Sequence, residues 1–204
     1  MIIRNNDRVV FFGDSITHWY GSDDELGLGF CGMTGRALMR VPKTSEVQVF
    51  NRGISGNRIS DIRNRLDSDV LSLNPIWVSL LLGINDVSGN KGNGTPLRSF
   101  ESDYRFVLDK LLGQGIGLII SSPFLCGEGL LGGKDVQDFW DKHRIVCNLA
   151  HEYNCLYLDL NKGINEIAAK IGPELLTKDG VHPTQMGAGL IADMWWKLIG
   201  GNEL

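Results

Sequence analysis

Cysteine is scarce and unpatterned in this chain. Cys31, Cys126, Cys147 and Cys155, the four in 204 residues, form no CxxC pair and no metal-type spacing with histidine. That argues against a zinc ribbon or a disulfide framework and leaves reduced, mostly buried thiols as the expectation. Long apolar runs are missing too: none approaches the ~20 residues a membrane span needs. Residues 1–7 carry none of the apolar stretch of a secretory leader, so a cytoplasmic protein with no membrane span is expected. Positive charge is not in excess. Twenty Lys and Arg against 24 Asp and Glu give a net charge of −4, which argues against a nucleic-acid partner, because such binding neutralises many phosphates. With no HExxH or EF-hand pattern, neither a metal nor another cofactor is expected. No repeat, low-complexity tract or linker interrupts the chain, and residues 1–204 read as one domain.

What is present is an alternation of short apolar runs and amphipathic segments. Strands are expected at 8–12, 47–50, 76–82, 117–121 and 156–158, the third nearly all apolar, as a parallel strand buried on both faces should be. Helices are expected at 32–40, 58–73, around 100–111, and at 135–153, 164–171 and 185–199. Right-handed crossovers then put helices on both faces of one sheet, a three-layer αβα arrangement of α/β class. Five parallel strands favour a flavodoxin-like order. Arg36, Arg40, Arg52, Arg58, Arg63 and Arg65 crowd one third of the chain with Asp61, Asp67 and Asp69 among them, and they read as solvated, mixed-charge helix faces. The stretch from Gly27 to Gly32 matches GxGxxG but follows Ser22-Asp23-Asp24-Glu25 rather than a strand, so it is not a dinucleotide fingerprint. Trp195 and Trp196 are adjacent on the last helix, and an isolated helix cannot turn both inward. One of them is therefore expected to meet a loop or a partner subunit of a homo-oligomer.

The chemistry concentrates at strand ends. Gly13-Asp14-Ser15 follows the first strand and offers Ser15 as a nucleophile, which needs a base and donors for a developing oxyanion. Asp179 and His182 lie three residues apart around a glycine. There the carboxylate can accept from Nδ1 and leave Nε2 facing the serine. The oxyanion hole is then the N–H of Ser15, the N–H of Gly56 and the side-chain amide of Asn85, a neutral donor that cannot take the histidine's proton. Ser55 is a weaker nucleophile, because GxSxG fails at Asn57. Asp14 and Asp86 read as structural, bonded to loop N–H groups. His18 is expected to line the crevice, and His143 and His151 to sit on a helix surface.

Four blocks in this order, around Ser15, Gly56, Asn85 and His182 with the acid at Asp179, resemble those of the SGNH hydrolases of the GDSL esterase family. The resemblance runs from Gly13 to Pro183 and departs from the family name only in Ile16 for leucine. Asn51-Arg52-Gly53-Ile54-Ser55-Gly56-Asn57, Gly83-Ile84-Asn85-Asp86-Val87 and Asp179-Gly180-Val181-His182-Pro183 look most like the signal-less bacterial carbohydrate acetylesterases, including acetylxylan esterases. It implies a serine esterase that removes acetyl groups from carbohydrates such as xylo-oligosaccharides through an acyl-enzyme. Three other activities suit the same machinery or scaffold: a lysophospholipase or thioesterase on longer acyl chains, an acyltransferase, and a non-catalytic carbohydrate-binding protein. The last would be marked by a lost block, and none is lost. Substrate choice is expected to reside in the loops at 17–30, 87–96 and 123–134.

Overall fold

The computed structural model describes residues 1–19, 25–89, 92–127, 131 and 133–201. Parts of the three expected specificity loops therefore lie outside the described residues. Strand β1 (Arg8–Gly13) carries Val9, Val10, Phe11 and Phe12, all fully buried. Such a run needs cover on both faces, and the fold provides it. Alternation along β1 sends Val9 and Phe11 into one apolar layer, with helices α2 (Phe30–Arg40), α6 (Leu160–Ile171) and α8 (Gln185–Leu198). Val10 and Phe12 enter the other, with α3 (Ile59–Asp69), α4 (Leu97–Leu112) and α5 (Gly133–Glu152). In the first layer the Phe11 ring meets the Trp195 indole, centroids 5.2 Å apart.

The sheet has the order β2-β1-β3-β4-β5, all neighbours parallel, with β2 at Gln48–Gly53, β3 at Trp77–Leu81, β4 at Gly117–Ser121 and β5 at Leu156–Leu158. This is the flavodoxin-like order. The chain leaves β1 for β2 on one side and returns to β3 on the other, so the crevice of an open α/β sheet falls at the carboxyl ends of β1 and β3. Gly13 closes β1 between Gly53 and Leu81. A Cβ there would collide with the Leu81 carbonyl and the Thr17 side chain, so only glycine lets the turn after β1 lie this close to β3.

Among the boundaries that differ from expectation, three have a plain physical cause. β2 runs on through Asn51 and Arg52 to Gly53, because the ladder to β1 is made by backbone and tolerates polar side chains on an edge strand. α3 stops at Asp69, and a single 3₁₀ turn at Leu71–Leu73 ends on left-handed Asn74. α6 starts four residues early, where the Asp159 carboxylate accepts from the Lys162 N–H as an N-cap.

For the tryptophan pair, the chain itself supplies the loop that was one of the two expected covers. Trp195 and Trp196 are both buried, at 0% and 4% exposure. Trp195 faces the sheet, while Trp196 is covered by the chain itself: the Gly201 N–H donates to the Trp196 carbonyl, and Gly201 lies so close to the indole that a Cβ would strike it. Among the described residues no helix is long and apolar enough to cross a membrane.

Candidate active site

Ser15 is the first residue of a four-residue helix, α1 (Ser15–His18). Asp14 is its N-cap, with Oδ1 accepting from the Ile16 N–H at 2.9 Å, so the aspartate is structural as expected. The Ser15 N–H belongs to the first turn, where no intrahelical acceptor exists. The Ser15 side chain is nearly buried on the crevice floor.

The opposite wall is a short helix, α7 (Pro173–Leu176), and the tight turn after it. An antiparallel bridge between Thr177 and Pro183 closes that turn, and the Lys178 N–H donates to the His182 carbonyl at 2.9 Å. The Cys126 N–H donates to the Gly180 carbonyl at 2.8 Å, tying the turn to the loop after β4. Within it, Asp179 Oδ1 accepts from the N–H groups of Val181 and His182, at 3.1 and 2.7 Å, and Oδ2 accepts from His182 Nδ1 at 2.7 Å. Partial burial works against the carboxylate, but those N–H donors and the imidazole outweigh it and hold the Asp179 carboxyl below its usual range. With Nδ1–H donating to a carboxylate, Nε2 carries the lone pair. Nε2 lies 3.1 Å from Ser15 Oγ. The structure thus joins Ser15, His182 and Asp179 in one hydrogen-bonded chain. Ser55 sits on a neighbouring turn with no imidazole partner among the described residues.

Gly56 and Asn85 lie on the turns after β2 and β3, which are bonded to the Gly13-Asp14 turn before Ser15. Gly56 is at φ +82° in the turn closed by Asn57 N–H donating to the Ile54 carbonyl, a backbone conformation that favours glycine. Asn85 is buried in the single turn Ile84–Asp86 at the end of β3. Its Nδ2 donates to the Asn57 carbonyl at 3.1 Å and lies 3.5 Å from Asp14 Oδ2. Asp86, fully buried, accepts from the Thr95 hydroxyl at 2.6 Å and the Ile59 N–H at 3.2 Å. Burial dominates those bonds and pushes its carboxyl up to about 6.

Two residues at this site do not announce themselves in the sequence. Asn57 links the Gly56 turn to Asn85 through its carbonyl, and Arg65, assigned above to a solvated face, is largely buried and reaches into the site. The GxGxxG stretch runs from a turn into α2, and Arg36 donates to the Gly27 carbonyl within it. His143 packs against Phe139 and Trp140 on α5, and His151 is exposed on the same helix. Among the described residues no group of three or more His, Cys, Asp or Glu side chains could hold a metal ion. The arrangement can deprotonate a serine hydroxyl and stabilise an oxyanion.

Known proteins give this geometry a context. An acetylxylan esterase from Geobacillus stearothermophilus is 30% identical over 213 residues, covering 98% of this chain and 97% of that enzyme. The crystal structure of Axe2, an acetylxylan esterase from the same organism, superimposes with a TM-score of 0.86 at 29% identity, over 99% of this chain and 98% of that one. A protein described as a GDSL-like lipase, from Parabacteroides merdae, gives 0.86 at 25% identity, with 97% of each chain covered. The GDSL-like Lipase/Acylhydrolase family matches residues 11–190. The blocks at the ends of β1, β2 and β3 and on the turn before α8 all fall within that span, and the chain belongs to this family of carboxylic ester hydrolases.

Proposed function

We propose that the protein is a serine esterase that removes acetyl groups from carbohydrate hydroxyls through an acyl-enzyme on Ser15. The observation that carries this reading is the relay from Ser15 Oγ through His182, 3.1 Å to Nε2 and 2.7 Å from Nδ1 to Asp179. Ser15 Oγ attacks the acetyl carbonyl carbon as His182 Nε2 takes its proton, and Asp179 holds the tautomer and stabilises the imidazolium. The carbonyl π-electrons move to oxygen, where the N–H groups of Ser15 and Gly56 and the Asn85 amide receive the charge. On collapse, His182 returns the proton to the departing sugar oxygen. Water then repeats the sequence on the acetyl-serine, releasing acetate and restoring Ser15. His182 and Asp179 keep roughly half of their side-chain surface exposed, which gives that water a route.

The acetylated-sugar assignment is supported by the likeness to Axe2 along nearly the full length. Catalytic mutants of that enzyme replace a serine, an aspartate and a histidine, the last two three positions apart, and Asp179 and His182 have that spacing here. The four free cysteines suit a reducing compartment, and we place the protein in the cytoplasm.

Hydrolysis of p-nitrophenyl esters from acetate to decanoate, with Ser15→Ala as the blank, tests the reading. A sharp preference for acetate, followed by release of acetate from acetylated xylosides, is the expected result. A rate rising with chain length would replace it with a lipid or thioester hydrolase. No rate above the blank would leave a carbohydrate-binding protein.

A further inference from the structure

Arg65 stands eight residues beyond Asn57 and 52 beyond Gly13, yet it bonds to both. Its Nε donates to Asn57 Oδ1 at 2.7 Å and its Nη2 to the Gly13 carbonyl at 3.0 Å, while Nη1 pairs with Asp69 Oδ2 at 2.7 Å. The guanidinium lies over the Phe12 ring, 4.4 Å from its centroid, and the side chain is only 13% exposed. The Asp69 pair is an ordinary i, i+4 contact within α3, of the kind that contributes little. The other two bonds leave the helix altogether and end on the turns that carry Ser15 and Gly56.

We propose that Arg65 is a positioning residue that sets the mutual geometry of the oxyanion donors, an inference that rests on the assignment of Ser15 N–H, Gly56 N–H and the Asn85 amide to that role. Each donor is a short covalent or hydrogen-bonded step from the guanidinium. Gly13 is followed by Asp14 and the Ser15 N–H, and its carbonyl also accepts from the Ile54 N–H at 3.0 Å, joining the β1 turn to the Gly56 turn. Asn57 follows Gly56 directly. The Asn57 carbonyl accepts from the Asn85 amide at 3.1 Å, and the long contact of the same nitrogen to Asp14 Oδ2, 3.5 Å, is the one an oxyanion would replace. A planar group with donors in a rigid fork fixes both the separation and the relative orientation of its acceptors. Lysine, a single charge on a flexible stem with freely rotating donors, fixes neither that separation nor that orientation.

Such a residue touches no substrate, so its loss should misplace donors without removing any of them. Kinetics of Arg65→Lys, Asn57→Ala, the Arg65→Lys/Asn57→Ala double variant and Asn85→Ala on p-nitrophenyl acetate, with urea unfolding of each, test this. We expect Arg65→Lys to lose about tenfold to a hundredfold in kcat, the scale on which small misplacements act, with KM changed less than threefold. Asn57→Ala should fall in the same direction, and the double variant should be no worse than the poorer single one, because both cut the same link. Should Arg65→Lys fold too poorly to assay, Asn57→Ala carries the kcat-against-KM comparison alone. Wild-type kcat in a folded Arg65→Lys, or in Asn57→Ala, while Asn85→Ala loses about a hundredfold, would overturn the proposal and leave the oxyanion site standing. Fully additive losses in the double variant would overturn it as well. Wild-type kcat in Asn85→Ala would remove the oxyanion site, and this role for Arg65 with it.

Discussion

The indole N–H of Trp195 donates to the hydroxyl of Ser79 at 2.9 Å, in the middle of the sheet. Ser79 is the one polar residue of β3, Trp-Val-Ser-Leu-Leu, and it is 2% exposed. An indole buried at the centre of an apolar layer still needs an acceptor. The serine supplies one and locks α8 onto β3.

Ser79→Ala leaves that N–H buried without a partner, which costs about 1–3 kcal/mol. Urea unfolding should show the loss, and kcat on p-nitrophenyl acetate should stay within twofold of wild type. A variant as stable as wild type would mean that the indole finds another acceptor.

Asp179→Asn keeps the size of the side chain but offers an amide where His182 Nδ1–H now finds a carboxylate. The imidazole is then free to place its proton on Nε2, where it cannot accept from Ser15. By comparison with other serine hydrolases, kcat should drop by about 10³ to 10⁴, with circular dichroism unchanged. A loss below tenfold would show that the turn orients His182 without its carboxylate.

Asn85→Ala deletes the amide we assign to the oxyanion and its bond to the Asn57 carbonyl. A donor of this kind is worth about 10² to 10³ in kcat. The fall should appear in steady-state kcat and not in KM, since the ground-state ester needs the donor far less than the tetrahedral intermediate does.

Asp86 carries the clearest pH signature. Its carboxyl titrates at about 6 in the folded chain against 3.8 for the free side chain. Between those values the native state holds a proton that the unfolded state has released, so this residue's contribution to stability falls as pH rises through the window. The drop amounts to about 3 kcal/mol. Asp86→Asn lacks the titration. Relative to that variant, wild type should be most stable near pH 4 and should lose the advantage by pH 7, as read by urea unfolding at both. Identical pH dependence in the two proteins would show that folding leaves the Asp86 titration unshifted.

The five strands and their order were legible because each buried parallel strand is a short apolar run bounded by polar or turn-forming residues, and alternation with amphipathic segments leaves few topologies. The Ser15, His182 and Asp179 contacts were legible for two reasons: Ser15 stands at the carboxyl end of such a strand, and Asp179 and His182 are three residues apart around a glycine. Three other features were not. Trp196 is buried by Gly201, which folds back over α8, and a rule for an isolated helix has no view of that. The Asp159 cap was hidden because Leu160 prolongs the apolar look of β5. Arg65 sits among alternating charges that suit a wet surface, and its acceptor, the Gly13 carbonyl, belongs to every residue type alike. Backbone acceptors leave no trace in composition.

His182 and Asp179 occupy a single four-residue turn, whereas Ser15 stands on the far side of the crevice on the end of β1. Imidazole and carboxylate therefore travel together when that turn moves, and their mutual bond survives. The relay has one mechanical coordinate, the gap between Ser15 Oγ and His182 Nε2, now 3.1 Å. The turn as a unit is tied to the loop after β4 by the Cys126 N–H on the Gly180 carbonyl, so a local opening at that tie parts base from nucleophile while the sheet stays intact.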